Sequence, residues 1–186
     1  MESILKNGVR ILTPSQFNLL LNAIPKYKHQ LIIKTMLFTG MRFVELQRFF
    51  NNPSWLSKEN NHIHLPQQAI KKSKRKQKDR YVKLNPWGKE IVRQFLSLDK
   101  LPSKQTLNDN LKRWCVKANL STDGICIKTF RKTWESWLIS HYKDNVFQVC
   151  LSQGHTTITS LNHYANLPFS SLDKEEIKSF VGGFEW

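Results

Sequence analysis

Along most of the chain, apolar residues recur three and four positions apart, and in one stretch only do they alternate. Thr13-Pro14 opens the first helical pattern, because the threonine hydroxyl can cap it and a proline does no harm where its missing amide proton is not needed. Phe17, Leu20, Leu21 and Ile24 mark its buried face and Pro25 ends it. Leu31, Ile32, Thr35, Met36 and Phe38 form the next stripe, which stops at Thr39-Gly40. A short helix is predicted from about Arg42 through Leu46 to Phe50, broken by Asn51-Asn52-Pro53.

From Trp55 to Leu84 the period changes to two. His62-Ile63-His64-Leu65 and Arg80-Tyr81-Val82-Lys83-Leu84 alternate, which predicts short antiparallel strands. Helical spacing then returns. One helix starts at Asn85-Pro86 with Ile91, Val92, Phe95 and Leu96 inward, and another spans roughly Thr106 to Leu120 with Leu107, Leu111, Trp114 and Cys115 inward. Beyond Gly124, Phe130, Trp134, Trp137 and Leu138 define an apolar face with Lys128, Arg131 and Glu135 along its edge. Helical segments follow at Val146 to Leu151, Ile158 to Tyr164 and Leu172 to Phe180. With no internal repeat and no linker, the expectation is one domain over residues 1–186, mainly α with a small antiparallel β-sheet (α+β). The amphipathic segment 170–186, ending Phe184-Glu185-Trp186, is left open between packing at home and docking on a neighbouring protomer, its aromatic ending favouring the second.

Composition narrows the class. Eleven phenylalanines and six tryptophans in a 40% hydrophobic chain of 186 residues can fill one interior, so the charge decorates a folded body. That charge is large: 29 Lys and Arg against 14 acids leave +15, which points to a polyanionic partner, nucleic acid first. Cys115, Cys126 and Cys150 are odd in number and show no CxxC spacing, which argues against a disulfide framework or zinc site and for a reducing, intracellular setting. No run approaches the length of a membrane span, so a soluble, cytoplasmic protein is expected.

Between the alternating segments lies the run 71–80, with seven positive charges and one negative. Such a run is most often a solvated loop, but in a chain this basic it is read as a hairpin arm that contacts DNA through Lys71, Lys72, Arg75, Lys76, Lys78 and Arg80. His62-x-His64 has metal-ligand spacing but no evident third ligand, so strand surface is the expectation there. Three further clusters carry chemistry: Thr39-Gly40-Met41-Arg42 with Glu45-Leu46, Lys128-Thr129-Phe130-Arg131, and Gly154-His155 followed nine residues later by Tyr164. A phosphodiester resists attack because its non-bridging oxygens repel nucleophiles and its alkoxide leaves poorly. Two arginines can hold those oxygens with fixed forks of donors, a histidine can add a hydrogen bond, a lysine can supply a proton and a phenol can attack. Taken singly, Tyr164 is a helix tyrosine, Arg42 a partner for Glu45 and Arg131 a surface cation; their order and spacing raise the chemical reading.

These three boxes, with a basic hairpin between the first two, resemble the tyrosine recombinases, and by Lys128 and the short last segment their archaeal virus (fusellovirus-type) integrase branch. The resemblance runs from Leu12 to about Tyr164. It implies the tyrosine recombinase catalytic-domain fold, with Arg42 and Arg131 holding the scissile phosphate, His155 hydrogen-bonded to it, and Tyr164 forming a 3′-phosphotyrosyl bond that conserves the energy for religation without a cofactor. It also implies double-stranded attachment-site DNA as partner in the host cytoplasm, tetramers on that DNA, and a monomeric or dimeric isolated fragment. The proton donor stays open among Lys72, Lys74 and Lys76, with Lys74 ahead by its distance from Leu84. Lys128 stands where most members have histidine; it is expected to be a phosphate ligand or structural cation, and the general base is unassigned. The chain begins almost at the first helix of such a domain, so the N-terminal domain that clamps the far face of DNA is expected to be missing. The rivals are a type IB topoisomerase with the same catalytic set and a non-catalytic DNA-binding module. A metal-dependent nuclease is disfavoured because the acids are scattered.

Overall fold

The computed structural model of the chain describes residues 4–57, 59, 61–67, 79–154 and 167–184. Its elements are β1 (Ile4–Lys6), β2 (Val9–Ile11), α1 (Pro14–Ala23), α2 (Tyr27–Thr39), α3 (Phe43–Phe50), β3 (Leu56–Ser57), β4 (His62–Leu65), β5 (Arg80–Lys83), α4 (Pro86–Phe95), α5 (Lys104–Lys117), α6 (Lys128–His141), α7 (Val146–Gln153) and α8 (Ser171–Val181). The chain is mainly helical with small antiparallel sheets, as its periodicity predicts. The helix expected at Ile158 to Tyr164 lies outside the described residues. Among the described residues, no helix is long and apolar enough to cross a membrane, and Cys115, Cys126 and Cys150 are free thiols.

The helix ends follow from local chemistry. Thr13 Oγ1 accepts from the Gln16 amide at 3.3 Å while the Gln16 side chain accepts from the Thr13 amide at 3.2 Å, so two amide donors that the first turn would leave orphaned are satisfied reciprocally. Gly40 stops α2 at φ +58°. A Cβ there would also run into the Gln153 side chain, so only glycine both adopts the left-handed turn and admits the approach of α7.

The core is built around α6. Phe130, Trp134, Trp137 and Leu138 are all buried, and Phe17 of α1 meets Phe130, Trp137 and Phe180 edge-on at centroid distances of 6.4, 6.1 and 6.0 Å. Trp137 Nε1 donates to the Leu12 carbonyl at 3.0 Å, and Thr133 Oγ1 accepts from the Leu12 amide at 3.0 Å, so α6 fixes the chain at its entry to α1. The C-terminal helix α8 lies on this chain's own core. Phe180 packs on Trp137 at 5.1 Å, Asn85 Nδ2 donates to the Phe180 and Gly182 carbonyls at 2.9 and 3.0 Å, and Tyr142 donates to the Val181 carbonyl at 2.8 Å.

The periodicity marks neither β3 nor the hairpin of β1 and β2. β1 and β2 pair through Asn7-Gly8, both at positive φ (49° and 65°), and the Arg10 amide donates to the Gly124 carbonyl at 2.9 Å, docking this hairpin on the α5–α6 connection. The Asn-Gly dipeptide is its signal, since both positions of the tight hairpin turn need positive φ. The second sheet has order β3-β4-β5, with Ile63 opposite Val82 and Leu65 opposite Arg80 on the inner face, and His64 opposite Tyr81 on the outer.

Trp137→Phe should keep the fold yet lose about 1–3 kcal/mol, because the buried Leu12 carbonyl loses its indole donor. Urea unfolding monitored by far-UV circular dichroism, with an unchanged denaturant slope, checks this.

Candidate active site

The first box folds into a turn that serves as a helix cap. Arg42 is the N-cap of α3, in extended backbone (φ −68°, ψ 149°), and Glu45 stands at the third helical position. From there the Glu45 carboxylate reaches back, accepting from the Arg42 amide at 2.8 Å and from Arg42 Nη1 at 2.7 Å. Glu45 is fully buried, and a third donor reaches it from another element: Nη2 of Arg80, the first residue of β5, at 2.8 Å.

The second box supplies Arg131, one turn into α6. Its guanidinium donates to the Gly40 carbonyl at 2.8 Å and to the Gln153 carbonyl, the latter shared with Arg80 Nη1 at 2.7 Å. Gln153 closes α7, so two cations converge on the negative end of that helix. Folding thus gathers Arg42, Arg80 and Arg131 around Glu45, with Glu135 of α6 adding its field to Arg80 and Arg131. Arg80 and Arg131 are 5% and 7% exposed, whereas the Arg42 side chain is 36% exposed, so the cluster opens to solvent on the Arg42 side.

The electrostatics are those of crowded cations. Burial, and then the like charges of Arg80 and Arg42, push the Arg131 guanidinium down to about 9, against the pull of Glu45 and Glu135; it stays protonated at neutral pH. Arg80 is lowered chiefly by burial, with Glu45 opposing and Arg42 adding to the shift. For Glu45, burial works upward but is outweighed by Arg80, Arg131, Arg42 and the Arg42 amide, which hold the carboxyl below its ordinary value. Three guanidinium groups around two carboxylates leave an excess of positive charge, and an anion arriving at Arg42 would offset it.

Arg42 and Arg131, far apart in sequence, therefore lie in one cluster, and the expectation of a surface Arg80 is corrected. In the β-alternation Arg80 is in phase with Val82 and Leu84, so it points inward with them and is buried against Glu45. That phase was the available signal. Gln153 was missed too, and no side-chain pattern could mark it, because it acts through its backbone carbonyl. Lys128 is exposed at the first position of α6 and makes no hydrogen bond or ion pair among the described residues. His62 and His64 flank the outward Tyr81 ring at 5.1 and 4.9 Å, and Asp79 ties the start of β5 to the end of β4 by accepting from the Gln67 amide at 2.8 Å and bonding His64 at 2.9 Å. Lys71, Lys72, Lys74, Arg75, Lys76, Lys78, His155 and Tyr164 lie outside the described residues.

No protein-family model matches the sequence, and no curated protein matches it. Solved structures do match. The chain superposes on the Tn1549 transposon integrase in complex with transposon right end DNA with a TM-score of 0.69 at 20% identity, covering 96% of this chain and 67% of that one. XerA recombinase matches with a TM-score of 0.62 at 16% identity over 91% of this chain and 64% of that one. XerH site-specific recombinase bound to difH substrate matches with a TM-score of 0.60 at 20% identity, over 82% and 50%. The chain thus spans about two thirds or less of the length of these proteins. At these identities the likeness is one of fold, and that fold is the tyrosine recombinase catalytic domain.

Glu45→Gln should destabilise the chain by about 3–5 kcal/mol at pH 7, since it removes one member of a buried ion-pair network. Because the folded-state carboxyl sits below 4.5, its contribution is present above that value and is lost as pH falls through the lower, folded one. The wild-type and Gln denaturation midpoints should converge on acidification below about pH 4.5, as urea titrations across pH would show.

Proposed function

We propose that this chain is the catalytic domain of a site-specific DNA recombinase or integrase acting through a covalent phosphotyrosine. The observation that carries the reading is the gathering of Arg42 and Arg131 at one buried carboxylate, with an excess of cationic charge open at Arg42, within a fold whose solved examples include recombinases bound to DNA.

In this reading the two guanidinium groups take the non-bridging oxygens of the scissile phosphate, and His155 adds a hydrogen bond. The Tyr164 oxygen attacks phosphorus and the bond to the 5′ oxygen breaks. The phenol proton passes to a base that stays unassigned, and the leaving oxygen takes a proton from a hairpin lysine, Lys74 ahead of Lys72 and Lys76. A 3′-phosphotyrosyl bond and a free 5′ hydroxyl result. Attack by the 5′ hydroxyl of a partner strand reverses the step, so strand exchange needs no nucleotide cofactor. Lys128, exposed a turn before Arg131, would meet DNA phosphate, and its presence in place of histidine supports the archaeal-virus branch of integrases. The basic run 71–80 and the net charge of +15 suit double-stranded DNA, on which four protomers would assemble in the host cytoplasm.

The test uses a pool of nicked duplexes randomised around the nick, so that cleavage traps the protein on DNA. The wild-type chain should yield a denaturant-resistant adduct whose DNA-linked peptide contains Tyr164 by mass mapping. Tyr164→Phe should bind the same duplexes and give none. An adduct that persists in the Phe variant would falsify the assignment of the nucleophile. Relaxation of supercoiled plasmid with no joining between two sites would instead identify a topoisomerase.

A further inference from the structure

Arg80 lies where three parts of the candidate site meet. It directly follows Asp79, which accepts from the Gln67 amide just beyond the end of β4. Its guanidinium spans two other elements, with Nη2 on Glu45 of α3 at 2.8 Å and Nη1 on the Gln153 carbonyl at the end of α7 at 2.7 Å. Glu45 in turn holds Arg42, and the Gln153 carbonyl is shared with Arg131 two residues before His155. Gly154 makes room for this bridge, since a Cβ there would stand 3.1 Å from Arg80 Cδ and Nη1.

We propose that Arg80 is a positioning residue for phosphodiester cleavage. It sets the Arg42 guanidinium through Glu45, and holds the end of α7 through the Gln153 carbonyl, without touching the phosphate itself. The inference rests on the recombinase reading and extends it to a residue outside the three boxes. Arg80 is 5% exposed and each terminal nitrogen already donates to an acceptor within the protein, so its fork is aimed at Glu45 and the Gln153 carbonyl; its Nε is buried and makes no hydrogen bond among the described residues. Without Arg80, Glu45 Oε2 keeps, among the described residues, the Arg42 amide alone, and the carboxylate is free to turn, carrying the Arg42 side chain with it. A lysine keeps the charge, but a single ammonium cannot hold two acceptors on separate elements in a planar fork. The loss therefore falls on geometry at the reacting phosphate more than on binding, where the field of the whole basic chain dominates.

Arg80→Lys and Arg80→Met are compared with the wild-type chain on nicked duplexes taken from the randomised pool for wild-type adduct formation. Three quantities are read: duplex affinity in a Tyr164→Phe background, single-turnover adduct rate at saturating protein, and the thermal unfolding midpoint. Affinity should stay within about threefold while the adduct rate falls on the order of 10–100-fold in both variants, with lysine giving no rescue. Combining Arg80→Met with Glu45→Gln should slow cleavage no further than the slower single variant, because both act through one chain of contacts. A rate loss that only tracks lost affinity or lost folded protein, or failure of both variants to fold, makes Arg80 purely structural and overturns the proposal. If the wild type cleaves and Arg80→Lys cleaves within about twofold of it, this inference falls and the recombinase reading stands. If the wild type forms no adduct, the recombinase reading falls and takes this one with it.

Discussion

A carboxylate removed entirely from water survives as an anion only if cations and hydrogen-bond donors replace its hydration. Glu45 meets that condition with Arg42, the Arg42 amide and Arg80, and the field of Arg131 adds to them. The same requirement works in reverse. Three guanidinium groups within one small volume repel each other, and it is the buried anion that lets them remain there charged. Remove the carboxylate and Arg42 and Arg80 lose the acceptor that joins them; keep it and a surplus of positive charge persists, open at Arg42.

Rigid elements hold this arrangement. α6 presents Phe130, Trp134 and Trp137 to the core and carries Arg131 and Glu135 along the edge of that face, so the side chains that anchor the helix also fix the site residues to it. Gly40 ends α2 where its carbonyl meets Arg131 and where α7 packs closely, and Arg42 follows two residues later as the cap of α3. The cluster is thus a junction of α2, α3, α6, α7 and β5: carbonyls at the ends of α2 and α7, a capping pair on α3, and one guanidinium each from α6 and β5.

For chemistry on a phosphodiester, the value of such a junction is preorganisation. Guanidinium groups already desolvated and aimed need little rearrangement when charge develops at phosphorus, and in low dielectric each contact is worth more than in water. Arg42, the more exposed member, is where an incoming anion can be met first, whereas Arg80 and Arg131 are more deeply buried.

Much of this was written in the order of residues. Helical and two-residue periodicity marked most of the helices and the β4–β5 strands within a few positions, because burying one face against water imposes those periods on any chain. Thr13-Pro14 and Gly40 announced their helix ends through local backbone chemistry, and the Asn7-Gly8 turn carried an equally local signal that went unread. The pairing of Arg42 with Glu45 is local as well, a turn apart on one helix. What tertiary structure alone decided is who else joins them. Arg80 belongs by composition to a run of seven cations, yet the strand pleat turns it inward to Glu45; Gln153 contributes a carbonyl, which every residue has; and Arg131 meets Gly40 only because α2 and α6 pack together. Sequence patterns record the preferences of neighbouring residues, whereas a charged cluster is settled by distances between elements that only the folded chain brings close.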